Sequence, residues 1–337
     1  MPSPRAAAPV TATALLLLLC SACATGTAAD QGAASDPRPA TTAPAPATTA
    51  YTPYVSATTA AGTDAAGSSD TYNLAFVVAD GDTCTPLWGG SAAATDPAVV
   101  SRVAALTSSG ADVRVSFGGA AGTEPALACD SARDLADAYA QVLDAVGATG
   151  ADFDIEGDAL TDTASVTRRN AALRLLQQER DLDVTYTLPV MPDGLEASGT
   201  AVLEDAADQE VEVSAVNIMA MNYSSSHDGD MGDYAERAAE AAHDQIADVF
   251  GLSESKAWRA LHITAMIGVN DVAGETFTLA DATSLRAFAH RNGVGALSMW
   301  ASFRDRACTD GEDASRANDT CSGVTQRDGA FAEALSG

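Results

Sequence analysis

Lysine is all but missing from this chain: Lys256 is the only one among 337 residues. Basic residues total 18 against 46 acidic ones, a formal net charge of -28. Nucleic acid and anionic membrane surfaces would repel such a chain, so neither is expected as a partner. Histidine is scarce too, and His227, His243, His262 and His290 show no metal-ligand spacing. No Gly-rich phosphate turn follows the first strand candidate, which argues against an open dinucleotide-binding sheet. A G-x-S-x-G elbow is also absent, which removes the serine hydrolases built on it. The apolar run Thr13 to Leu19 is too short to cross a membrane. Aromatics make up only 5%, but hydrophobic residues reach 47%, enough for a core of Ala, Val, Leu and Ile.

Residues 1–24 are predicted to be an export signal, with Arg5 as the charged start and Ser21-Ala22-Cys23-Ala24 as the small-residue end. Ala22-Cys23-Ala24 fits a signal-peptidase site. Cys23 behind Ser21-Ala22 also fits a bacterial lipoprotein box, with Cys20 standing where that box usually has Leu. Either route puts the mature protein outside the cytoplasm, secreted or held to the outer face of the membrane by a lipid on Cys23. Residues 25–50 are rich in Ala, Thr and Pro and read as a disordered linker, so the folded domain is expected over 51–337, as a monomer.

Outside the signal, four of the six cysteines remain: Cys84, Cys129, Cys308 and Cys321. An even number in an oxidising compartment points to two disulfides. The short separation of Cys308 from Cys321 favours that pair and leaves Cys84 with Cys129. Zinc is the weaker reading, because the spacings are wide and no His is near in sequence.

From Tyr51 onward, β-rich runs alternate with helical ones, the signature of a parallel sheet with covering helices. The predicted strands are Tyr54–Thr58, Tyr72–Val78, Val113–Phe117, Ala151–Ile155, Val184–Leu188, Ala215–Met219, His262–Gly268 and Gly295–Met299. Helices are expected from Asp96-Pro97, where Asp caps and Pro takes the first position, and over Ser131–Val146, Ser165–Arg180, Gly232–Phe250 and Leu279–Asn292. One (β/α)₈ barrel needs about 250 residues, so eight strands in a chain of this length favour a single α/β barrel.

The most informative segment is Asp152-Phe153-Asp154-Ile155-Glu156. Side chains alternate along a strand, so three carboxyls aim inward while Phe153 and Ile155 face the helices. Crowded carboxyls favour a protonated member, which a general acid requires. A divalent metal site or a solvated acidic edge is the rival account of these five residues. A pattern ending D-x-D-x-E resembles the catalytic strand of family 18 glycoside hydrolases, D-x-x-D-x-D-x-E, with Thr149 in place of the first Asp. Ser116-Phe117-Gly118-Gly119 is similar to that family's S-x-G-G motif. Met219-Ala220-Met221-Asn222-Tyr223 resembles its sixth-strand Met–Tyr–Asp region, with Asn222 replacing the Asp and the tyrosine's place falling to Tyr223 or Met221. Ile267-Gly268-Val269-Asn270-Asp271 and Leu297-Ser298-Met299-Trp300 match the ends of the seventh and eighth strands.

This resemblance spans nearly the whole domain and implies a barrel that cleaves β-1,4-linked N-acetylglucosamine polymers or oligomers, chitin by default. It further implies substrate-assisted, retaining catalysis without metal or organic cofactor. Glu156 would be the proton donor, Asp154 would hold the acetamido N–H and share charge with Asp152, and Tyr223 or Asn222 would steady the acetamido oxygen. Trp300 would floor the distorted sugar, Asp271 would lie beside the cleaved bond, and Met221 and Gly118 would line the substrate site. Two rival functions share the motif: an endo-β-N-acetylglucosaminidase acting on N-glycans, and a carbohydrate-binding barrel without activity. Trp88 either lines the cleft or covers a loop.

Overall fold

The computed structural model describes residues 48–337; the export signal, Cys23 and nearly all of the 25–50 linker lie outside the described residues. The chain begins with β1 (Ala50–Tyr51), β2 (Tyr54–Ser56), β3 (Thr71–Asp80), β4 (Thr83–Trp88) and β5 (Ala92–Ala93), then α1 (Pro97–Thr107). Next come β6 (Asp112–Gly118), α2 (Pro125–Ala128), α3 (Ala132–Val146), β7 (Gly150–Asp154), α4 (Asp158–Thr161) and α5 (Thr163–Glu179). After these run β8 (Asp183–Pro189), α6 (Ala197–Asp208), β9 (Val213–Ala220), α7 (Met231–Phe250) and α8 (Glu254–Ala260). The last part holds β10 (Leu261–Met266), the small pair β11 (Gly268–Val269) and β12 (Thr276–Phe277), α9 (Leu279–Asn292), β13 (Ala296–Trp300) and α10 (Ala330–Ser336).

The main sheet orders its strands β13-β10-β9-β8-β7-β6-β3, each parallel to the next. Parallel strands need crossovers, and the helices between them supply these, giving a mixed α/β fold. At the two ends, β1 pairs with β13 and β2 pairs with β3. Each of the eight predicted strands overlaps an observed one. The hairpin β4–β5, antiparallel on β3, and the helix α6 were not expected. Ser198, Gly199 and Thr200 open α6 with poor helix formers, and burial of Val202, Leu203 and Ala206 overrides that local preference.

Both faces of the strands are covered, so β7 is buried at all five positions. The outward side chains pack under the helices: Phe117, Phe153 and Tyr139 of α3 form one aromatic cluster with ring centroids 4.6–5.4 Å apart. Tyr139 reaches it because Leu135, Tyr139, Val142 and Leu143 share one buried stripe of α3, which Ser131 caps at the start and Gly147, at φ 67°, ends. Trp88 belongs to this interior rather than to the cleft; it is fully buried, and its Nε1 donates to the Ala94 carbonyl at 3.4 Å.

Cys84 pairs with Cys129 and Cys308 with Cys321, the pairing expected from their spacing. Glu312 sits beside the second pair, but its carboxylate is taken by the Thr309 N–H and the Arg306 guanidinium, and both sulfurs are bonded to each other. That cluster is therefore not a metal site. No helix among the described residues is long and apolar enough to cross a membrane.

Candidate active site

The C-terminal ends of the parallel strands surround a cavity of about 500 Å³. Asp154, Glu156, Met221, Asn222, Tyr223, Asp271 and Trp300 all line it. These seven residues, spread from Asp154 to Trp300 along the chain, thus meet in one place. In open and closed α/β sheets alike this is the end where side chains from several strands converge.

Asp152 lies one layer deeper and is 1% exposed. Its Oδ2 accepts from the hydroxyls of Tyr54, at 2.8 Å, and Ser116, and its Oδ1 from Thr187 at 2.6 Å. Asn217 extends this network by donating to Thr187 at 2.9 Å and accepting from Thr264 at 2.9 Å. Burial pushes the Asp152 carboxyl up, and the hydrogen bonds from Ser116, Thr187 and Tyr54 pull it back. Asp154 has no such support: its Oδ1 is buried without a partner among the described residues. Burial first, then the charges of Glu156 and Asp152, raise it well above the ordinary carboxylate range. Glu156, half-buried two residues beyond β7, is also raised by burial; its hydrogen bond with Asp154 acts in the opposite sense, and the Asp271 charge adds to the rise. The two carboxyls form one acid pair that keeps a proton where a lone carboxyl would have lost it.

Gly118 and Gly119 explain why the chain reads Gly-Gly after Phe117. A Cβ on Gly118, at φ 96°, would stand 2.2 Å from the Asp154 carbonyl oxygen. A Cβ on Gly119, at φ 90°, would stand 2.9 Å from the Phe76 ring, and the Gly119 N–H donates to that same Asp154 carbonyl at 3.0 Å. Gly118 was assigned to the substrate-lining set from sequence. It does not line the cavity; it lets β6 press against the strand that carries Asp154.

Trp300 ends β13 and lies stacked on Phe76, with centroids 5.3 Å apart, with Tyr54 and Phe303 edge-on at 5.8 and 5.5 Å. Sequence reasoning gave Tyr54 and Phe76 no role. Phe76 lies within an irregularity in β3, where the two residues between Leu74 and Val77 face the single one between Val115 and Phe117. Such a bulge re-aims a side chain, and no alternation pattern announces it. Phe76, Trp300 and Asp319 also line a neighbouring cavity of about 620 Å³ that includes Ser56, Thr58 and Phe303, so the aromatic group sits between two adjoining hollows.

Asn222 and Tyr223 differ in what they are already bonded to. Asn222, at φ 53°, accepts the Asp271 N–H at 2.9 Å and donates its own amide to the Asp271 carboxylate at 3.0 Å. Its side chain is committed to this clamp. The Tyr223 hydroxyl is buried and has no partner among the described residues, while its ring lines the cavity, so Tyr223 carries the free donor. Burial keeps that phenol protonated by pushing its pKa up. Thr149, just before β7, meets the next strand through its backbone, its carbonyl accepting the Asp183 N–H at 3.0 Å.

No family model matches the chain. It is 35% identical over 249 residues to the "Probable bifunctional chitinase/lysozyme" of Escherichia coli (strain K12), a match covering 69% of this chain and 28% of that protein. It is 34% identical over 250 residues to endochitinase 11 of Metarhizium anisopliae, covering 69% of this chain and 47% of that one. The chain thus spans less than half the length of either curated relative. Among solved structures, the catalytic domain of a hyperthermophilic chitinase from Pyrococcus furiosus has a TM-score of 0.75 at 28% identity, over 86% of this chain and 95% of that one. Catalytic-site mutants of a thermostable chitinase domain from the same organism, complexed with chito-oligosaccharides, have a TM-score of 0.74 at 28% identity, over 86% and 94%.

Proposed function

The chain belongs to the family 18 glycoside hydrolases, and from that premise we propose that it cleaves β-1,4-linked N-acetylglucosamine chains, chitin or its oligomers, with Glu156 as the acid. The observation that carries this reading is the coupled pair Asp154–Glu156 in a cavity that also holds an unengaged tyrosine hydroxyl and an aromatic floor. The sheet is taken to close as a (β/α)₈ barrel, since β1 and β2, two residues apart, pair with β13 and β3 at its two ends. The two disulfides support work in an oxidising compartment outside the cytoplasm, secreted or lipid-anchored through Cys23.

In the proposed reaction the Glu156 carboxyl gives its proton to the leaving oxygen as the bond to C1 breaks. The carbonyl oxygen of the substrate's own 2-acetamido group attacks C1 from the other face. Asp154 accepts the acetamido N–H, Tyr223 donates to the acetamido oxygen, and Trp300 supports the sugar ring. Water then opens the cyclic intermediate, giving its proton back to Glu156 and retaining the configuration. No metal or organic cofactor enters these steps.

Because the nucleophile belongs to the substrate, N-acetylated oligomers are expected to be hydrolysed, while fully deacetylated oligomers and glucose oligomers of the same length are left intact. Product analysis by chromatography and NMR is the test, with retention of the anomeric configuration required. Equal cleavage of the deacetylated series would remove the substrate-assisted mechanism, and binding of N-acetylated oligomers without cleavage would favour the inactive carbohydrate-binding barrel. Release of whole glycans from N-glycoproteins in preference to chitin oligomers would favour the endo-β-N-acetylglucosaminidase.

Asp154→Asn offers a second check. The last proton of the pair is lost as pH rises through a value that burial first, and then the neighbouring charge, have raised, so the wild-type alkaline limb lies above that of an ordinary carboxyl. Asn keeps a donor for Glu156 but removes the charge, so the alkaline limb of kcat/KM should move to lower pH as kcat falls. A limb that stays in place would separate the two carboxyls.

A further inference from the structure

One buried carboxylate near the site takes no part in this chemistry. Glu275, just before β12, is 1% exposed. Its Oε1 accepts the Ser224 N–H at 3.0 Å, and the backbone N–H groups of Asn222 and Tyr223 face the same carboxylate. Its Oε2 is buried with no partner among the described residues. Successive N–H groups turned inward by a left-handed residue make a small anion-binding concavity, and Asn222 at φ 53° supplies that residue here. The carboxylate is therefore the built-in anion of the turn that follows β9.

The same turn is tied to the Glu275 loop from the other side. Asn222 Oδ1 accepts the N–H groups of Asp271, at 2.9 Å, and Val272, at 3.3 Å, and the Asn270 N–H donates to the Glu275 carbonyl at 3.1 Å. Asn270 in turn donates its side-chain amide to the carbonyls of Met266 and Gly268, fixing the loop to the end of β10. A non-glycine residue in the left-handed region carries about 1–3 kcal/mol of strain, which the surrounding bonds must outweigh. Without the carboxylate the three N–H groups lose their acceptor, and Asn222 has less reason to hold that conformation.

We propose that Glu275 is a positioning residue for catalysis: by binding the Asn222–Ser224 turn it sets where the Tyr223 hydroxyl meets the substrate's acetamido oxygen. Glu275 does not line the cavity, so it acts through Tyr223 and not by contact. The inference rests on the hydrolytic reading given above. Because Tyr223 is assigned to charge that develops in the transition state, displacing it lowers kcat and leaves ground-state binding along the rest of the cleft intact.

The test compares the full chain with Glu275→Ala, Glu275→Gln, Tyr223→Phe and the double variant Glu275→Gln/Tyr223→Phe, using N-acetylchitooligosaccharides. Displacements near 1 Å can cost about 100-fold. Glu275→Ala is expected to lose about that much in kcat with KM changed by less than about threefold. Glu275→Gln, which keeps one acceptor oxygen for the turn, should recover about tenfold of it. In the Tyr223→Phe background the Glu275→Gln substitution should cost less than about twofold, since the hydroxyl it positions is gone. Full additivity of the two substitutions would overturn the proposal, as would an effect confined to KM or wild-type kcat in folded Glu275→Gln. Should Glu275→Ala fail to fold, the Gln cycle still decides. A wild-type chain that hydrolyses none of these oligomers overturns the hydrolytic reading and this one with it, whereas normal wild-type turnover with unaffected variants overturns this one alone.

Discussion

Glu156→Gln is expected to lower kcat on N-acetylchitooligosaccharides by about 10³-fold, within the 10²–10⁴ range of a general acid, while KM stays within a few-fold. The substitution keeps the volume of the side chain and its hydrogen bond to Asp154, so cavity shape and substrate contacts persist. What disappears is the transferable proton. The loss should also depend on the leaving group. An acidic phenol departs with little protonation, so aryl glycosides of the same sugars should lose less than natural oligomers, by about one to two orders of magnitude. Steady-state rates with both substrate types measure this directly. A variant within tenfold of wild type on the natural oligomers would remove Glu156 from the role of acid, and an equal loss on both substrate types would mean that the substitution damages the site in some way other than proton supply.

The inward-facing carboxyl row was legible in the sequence because a strand has a period of two. Asp152, Asp154 and Glu156 had to point one way, and Phe153 had to meet the helix layer, as it does against Tyr139. The eight predicted strands were legible for a similar reason, since parallel strands buried on both faces give continuous apolar runs between capped helices, whereas the short β1, β5, β11 and β12 and the hairpin strand β4 carry no such run. Disulfide pairing followed from chain separation alone. What could not be read was everything that depends on two loops meeting. The Asn222–Asp271 clamp joins residues 49 apart, and the Glu275–Ser224 bond joins residues 51 apart. Neither has a period, and both lie where the backbone leaves the sheet. Phe76 was hidden differently. Its strand was predicted, but a bulge inside the strand shifts which side chains reach the cavity. Gly118 looked like a substrate residue because it belongs to a motif, whereas its missing Cβ matters to the Asp154 carbonyl behind it.

The same neighbourhood contains the largest expected effect on stability. Arg169 of α5 is fully buried and donates to Glu124 at 2.9 Å, with the Glu124 side chain only 5% exposed. Tyr139 donates to the same carboxylate at 3.1 Å, and the Ala126 N–H, at the start of α2, donates at 2.8 Å. Removing one member of a buried pair strands the other charge away from water, which typically costs about 3–5 kcal/mol. Arg169→Met is therefore expected to lower Tm by on the order of 10 °C. Deleting the charge on both sides is a different matter, because two neutral groups need no compensation. Glu124→Gln in the Arg169→Met background keeps an acceptor oxygen for the Ala126 N–H and offers an amide N–H that the Tyr139 hydroxyl can accept, and should recover more than half of the loss. Thermal unfolding of the two single variants and the double variant measures the coupling, and a double variant no more stable than Arg169→Met would show that packing, not charge, is what Arg169 supplies. The consequence reaches the active site. A Cβ on Gly118 would stand 3.2 Å from Glu124 Cγ as well as 2.2 Å from the Asp154 carbonyl, so this carboxylate backs the same point of β6 that supports the strand carrying Asp154. Arg169→Met should then lose activity below its own melting transition, and the double variant should regain stability and turnover together.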